Sequence, residues 1–145
     1  MTEVEFHTGV ADPVGFACRL LRKAARQGVP VQVTGSPDML AALDRALWTF
    51  EERDFVPHVR MPGAVSAVAQ RTRIWLTPTL LENDAPRVLV NLDGAAPAGT
   101  QALDRVIEIV PAEPAAAAAG RERWRQYKAR GLAIKHHAEP GAASD

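Results

Sequence analysis

Arg87-Val-Leu-Val-Asn-Leu92 is apolar at four of its six positions. A run this short and this apolar reads as a strand covered on both faces, the condition of a central strand in a parallel sheet. The segments around it repeat the signal. Upstream, Arg73-Ile-Trp-Leu-Thr77 and Val29-Pro-Val-Gln-Val33 are short apolar strands, and Val4 to Thr8 alternates as a strand does. Downstream, Gly94 to Gly99 is a Pro/Ala/Gly loop and Arg105 to Val110 reads as the final strand.

Helical patterns lie between these strands. Residues 13–27 place Val14, Ala17, Cys18 and Leu21 on one side and Arg19, Arg22, Lys23 and Arg26 on the other, after Asp12-Pro13 and before Gly28. Ser36-Pro37-Asp38 caps a second helix over 37–49. Glu113-Pro114 opens a long Ala-rich helix with Gly131 as its stop. Residues 50–70 mix acids, aromatics and prolines and read mostly as loop. Strands alternating with helices predict one three-layer α/β domain over residues 1–135, with a mostly parallel sheet and helices on both faces. Residues 136–145 read as a flexible C-terminal tail.

Charge narrows the function classes. The chain carries 17 basic and 17 acidic residues, so it has no net pull toward nucleic acid or an anionic membrane. The distribution is uneven. Residues 121–135 hold six Lys/Arg against Glu122, which leaves 11 basic and 16 acidic residues elsewhere. Cys18, the single cysteine, reads as a buried thiol. The N-terminus lacks a signal-peptide pattern and no apolar run reaches membrane-spanning length, so a cytoplasmic location is expected.

Catalytic and cofactor motifs are missing. Val33-Thr-Gly-Ser-Pro-Asp38 and His7-Thr-Gly-Val-Ala-Asp12 match neither phosphate-binding glycine pattern. The histidines at 7, 58, 136 and 137 are not arranged as a metal-ligand cluster in sequence, and no nucleophile has an evident base. No catalytic residue, cofactor or metal is expected.

Two stretches point to binding. Trp48, Phe50 and Phe55 put three of the chain's eight aromatics within eight residues, where a helix becomes a loop. Composition leaves them equally open to a core and to a partner surface. The second stretch is Arg121-Glu-Arg-Trp-Arg-Gln-Tyr-Lys128. On a helix Arg121, Trp124, Arg125 and Lys128 fall at i, i+3, i+4 and i+7, so three cations surround one aromatic. Tyr127, with Ala116 and Gly120, faces the sheet instead. Glu122 has only Gln126 at i+4, which predicts a basic face left unneutralised. Such a face suits an anion carrying an apolar group, either an acidic peptide end or a nucleic-acid strand.

Phe6-His-Thr-Gly9, Leu43-Asp-Arg-Ala-Leu-Trp48 with Phe55-Val-Pro-His58, and Arg121-Glu-Arg-Trp-Arg-Gln-Tyr-Lys128 with Gly131 resemble the chi subunit of bacterial DNA polymerase III, in order and over nearly the whole chain. The resemblance implies a non-catalytic adaptor with a Rossmann-like fold and no nucleotide site. It implies two partners: the psi subunit, and through it the clamp loader, and the acidic C-terminal tail of single-stranded DNA-binding protein. Direct nucleic-acid and membrane binding are not implied. Carried onto this chain, the tail site would be Arg121, Trp124 and Arg125 with Lys128, closed by Leu132 and Ile134. The psi patch would be Trp48 and Phe55, with Phe50 and Pro57 as neighbours. Two positions depart from the family pattern: Ala117 stands where a further lysine is common, and Trp124 stands where a tyrosine is familiar. The alternatives from the residues alone are a direct single-stranded nucleic-acid binder and a degenerate nucleotide-binding enzyme.

Overall fold

The computed structural model describes residues 2–49, 56–62, 66–82, 84–93 and 96–139. Its element order is β1 (Glu3–Val10), α1 (Pro13–Gln27), β2 (Val31–Thr34), α2 (Pro37–Thr49), β3 (His58–Arg60), α3 (Ser66–Arg71), β4 (Ile74–Thr77), β5 (Val88–Asn91), β6 (Arg105–Pro111), α4 (Pro114–Ala129) and β7 (Ile134–Ala138), with a 3₁₀ turn at Thr100–Ala102. Among the described residues seven strands form one sheet in the order β3-β4-β2-β5-β6-β1-β7, and every pairing is parallel. The α/β class is therefore as expected, with β5 at the centre.

Local chemistry accounts for the helix limits. Asp12 accepts the Gly15 N–H at 3.0 Å, Pro13 opens α1, and Gly28 closes it in the left-handed region at φ 70°. At α2 the Ser36 hydroxyl accepts the Met39 N–H at 3.2 Å ahead of Pro37.

The pleat sends alternate residues to two cores. Ala17, Cys18 and Leu21 of α1 and Leu40, Leu43 and Leu47 of α2 bury against Val33, Leu76, Val90 and Ile107. On the opposite face Val4, Phe6, Leu89, Val106 and Val110 pack with Tyr127 of α4. Each fully buried Leu or Phe contributes roughly 1.5–3 kcal/mol from desolvation. Burial pushes the Cys18 thiol up to about 11, so it stays protonated and unreactive at neutral pH.

Within the 50–70 segment, read mostly as loop, the described residues include β3 and most of α3, while residues 50–55 and 63–65 lie outside the described residues. The structure corrects two expectations. Arg105–Pro111 is not the final strand: β7 follows α4 and pairs with β1, Val4 lying beside Ile134 and Thr8 beside Ala138. The ordered domain thus runs past 135, and of the expected tail only residues 140–145 fall outside the described residues. Both missed strands are edges, held by their backbone ladders to a single neighbour, so neither needs an apolar alternation to form.

Candidate peptide-binding groove

Helix α4 is seated by a carboxylate. Glu108 stands in the middle of β6 and is fully buried. Arg123 donates to its Oε1 at 2.8 Å, Tyr127 donates to its Oε2 at 2.6 Å, and the Asn91 amide donates to both oxygens at 3.2 and 3.0 Å. Thr34 extends the chain of bonds by donating to Asn91 Oδ1 at 3.0 Å. Burial pushes the Glu108 carboxyl above its ordinary value, while Arg123, Tyr127 and Asn91 pull the other way. Burial and the adjacent carboxylate raise the Tyr127 hydroxyl as well, which keeps it a donor. Arg123 is therefore structural, although in sequence it is indistinguishable from the cations beside it.

Clamping Arg123 and Tyr127 onto the sheet sets the rotation of α4. Gly120 lets the helix come close, since a Cβ there would lie 2.6 Å from Val110 Cγ1. Trp124 then falls on the flank of the helix, over the middle of β1 and β7. Its ring centroid is 5.0 Å from that of Phe6, and the His136 ring meets it edge-on at 5.6 Å. Thr8 Oγ1 lies 2.6 Å from His136 Nε2. The result is a groove of about 740 Å³ whose lining includes Phe6, Val110, Ala117, Trp124 and His136, with Arg121 and Arg125 also contributing.

The four expected helix residues do not share one role. Arg121, Trp124 and Arg125 line the groove, whereas Lys128 is exposed one turn further along. Leu132 and Ile134 do not close the groove; both pack on the core beside Tyr127. The closing elements are the ends of β1, β6 and β7, which helical spacing cannot show. Phe6, Thr8 and Gly9 belong to the N-terminal segment that carries the family resemblance. The expectation for Glu122 also fails, because it pairs with Arg125 at i+3, 3.0 Å away. Both side chains are more than half exposed, so the pair is screened and readily exchanged for another anion. Arg121 has no ion-pair partner among the described residues. Arg130 donates to the Pro97 carbonyl at 2.8 Å and to Thr100 Oγ1 at 3.2 Å, which ties the end of α4 to the loop after β5.

The second expected patch lies at the far end of the sheet. Trp48 is 62% exposed and meets His58 edge-on at 5.7 Å. His58 itself bridges Asp44 Oδ1 at 2.6 Å and the Val56 carbonyl at 2.8 Å, which locks α2 to β3. Phe50 and Phe55 lie outside the described residues; Pro57 is exposed beside β3.

At the carboxyl ends of the strands, where a doubly wound sheet would seat a nucleotide, the anion positions are held by carboxylates. Asp93 accepts the Ser36 N–H at 2.6 Å, ahead of α2, and Asp12 caps α1. A phosphate there would face a fixed negative charge.

The family model for the DNA polymerase III chi subunit, HolC, matches residues 1–135. The chain belongs to the chi subunit family. The DNA polymerase III subunit chi of Pseudomonas aeruginosa is 32% identical over 150 residues, covering 97% of this chain and 99% of that one. The subunit chi of Haemophilus influenzae is 27% identical over 118 residues, covering 80% of each chain. Among the described residues of this chi-family chain, no helix is long and apolar enough to cross a membrane.

Proposed function

We propose that this chi-family chain is a non-catalytic adaptor of the bacterial replicase with two separate docking sites. The groove beside α4 takes the acidic C-terminal tail of single-stranded DNA-binding protein. The observation that carries this reading is an aromatic floor with arginines at its edge: Phe6, Trp124 and His136 beneath, Arg121 and Arg125 beside them. A tail of acidic residues followed by Pro-Phe and a free carboxylate is matched term by term. The phenylalanine ring enters against Trp124, and the arginines hold the carboxylates, the terminal one in a forked pair.

One feature favours a peptide over a nucleic-acid strand: the arginines flank one short groove rather than tracking a strand. The exposed Trp48 surface, remote in the sheet order, is the proposed seat of psi, through which the chain joins the clamp loader and supports lagging-strand synthesis.

Calorimetric titration with a synthetic tail peptide, beside one lacking the final phenylalanine, tests the reading. Micromolar binding to the first and a loss of at least about tenfold with the second is expected, since about 1.4 kcal/mol of ring burial suffices. Equal binding of both peptides, or of neither, would refute the groove as the tail site.

A further inference from the structure

The face of β1 opposite the groove carries a second cluster. Glu5 and His7 are two apart on β1 and so point the same way, and the parallel register sets His7 directly beside His137 of β7. Ligand atoms of the three side chains lie within 4.8 Å of one another. His7 Nε2 is 3.6 Å from Glu5 Oε2, and the two imidazoles stack at 4.8 Å with an interplanar angle of 15°.

We propose that Glu5, His7 and His137 form a binding site for a divalent transition metal of the zinc class. Two imidazoles with one carboxylate are the donors such borderline ions select, while magnesium and calcium prefer oxygen alone. Two of the donors are held in place by other residues. Arg105 Nη2 donates to both Glu5 oxygens at 2.7 and 2.8 Å, which orients the carboxylate, and Phe16 packs on His7 at 5.0 Å. The third, His137, is exposed and meets His7 face to face. Tetrahedral zinc with bonds of about 2.0–2.2 Å needs donor atoms roughly 3.4 Å apart, so the approach required falls on the most exposed of the three side chains. The charges around the site balance. Arg105 and Lys135 are opposed by Glu5 and by Glu139, which follows β7 and whose N–H donates to the Thr8 carbonyl at 3.0 Å.

An ion here would join edge strand β7 to β1 through side chains as well as backbone. The same strand carries His136 into the groove, so metal would stabilise the wall that His136 supplies without touching the peptide.

The test uses the full chain stripped with chelator. Added zinc should raise Tm in proportion to the logarithm of free zinc, as mass action on the folded state requires, and equimolar cobalt should develop the visible bands of a tetrahedral site. His137→Gln should fold as the parent does in chelator yet lose both responses. Glu5→Gln is the second variant and should lose them too, whereas His136→Gln should keep them. An unchanged Tm with zinc and a cobalt spectrum matching the aqueous ion would overturn the proposal. So would a parental response from His137→Gln, which would place the ion on other residues.

Discussion

The two flanks of α4 use the same residue types for opposite ends. On one, Arg123 and Tyr127 close on a fully buried glutamate and cannot be spared; on the other, Arg121 and Arg125 stand at a groove with only an exposed glutamate nearby. An arginine that meets its anion inside the protein holds the fold together. An arginine whose counterion is on the surface, or absent among the described residues, keeps its charge for another molecule. Arg121 and Arg125 each stand two residues from Arg123, about 200° round the helix wheel and so on the opposite side. The division is set by where β6 carries Glu108.

That contrast is easiest to break at Arg123. Arg123→Met leaves Glu108 buried without its cation, and a loss of about 3–5 kcal/mol of stability is expected from denaturant unfolding. A loss below about 1 kcal/mol would mean that Asn91 and Tyr127 suffice for Glu108. Gly120→Ala comes next. Its Cβ would press on Val110, so α4 must shift outward, costing about 1–3 kcal/mol and weakening peptide binding together with stability. Unchanged chemical denaturation for this variant would show that the close approach is dispensable.

The groove flank should respond in binding more than in folding. Arg121→Ala is expected to weaken the tail peptide by about tenfold or more by calorimetry, as loss of one charge-assisted hydrogen bond implies, with stability changed by less than about 0.5 kcal/mol. Arg125→Ala should lose less, because Arg125 must first leave Glu122. The smallest effect is expected at Lys128, whose replacement by alanine should leave peptide affinity within about twofold, as expected of an exposed charge outside the groove. If Lys128 matters as much as Arg121, the peptide runs along α4 rather than into the groove.

Local chemistry made much of this fold readable. Asp12-Pro13 with Gly28, and Ser36-Pro37, delimit α1 and α2 at the residues expected, because caps act within one turn. Val88–Asn91 is central because its side chains leave it no wet face. The edge strands escaped for the converse reason. Ile134-Lys-His-His-Ala138 exposes four of its five residues, so little burial imposes a pattern, and its ladder to β1 makes it a strand.

The site divides along the same line. The helix spacing that groups Arg121, Trp124 and Arg125 is local, but the groove floor comes from residues more than a hundred positions earlier and from β7. One signal for the other flank was present in Val106-Ile-Glu-Ile-Val110. A single carboxylate inside an apolar strand requires a cation and donors, and Arg123 with Tyr127, spaced one turn apart, supply them. The histidine pair beside Glu5 left no such trace, since it arises only when β7 is laid against β1.

The most direct test of the groove is amide and indole chemical-shift mapping while the tail peptide is added. The account predicts that the largest changes fall on Gly9, Ala112, Gly120, Arg121 and the Trp124 indole, with Trp48 unmoved. Changes centred on Trp48, or a spectrum that does not respond to saturating peptide, would contradict it.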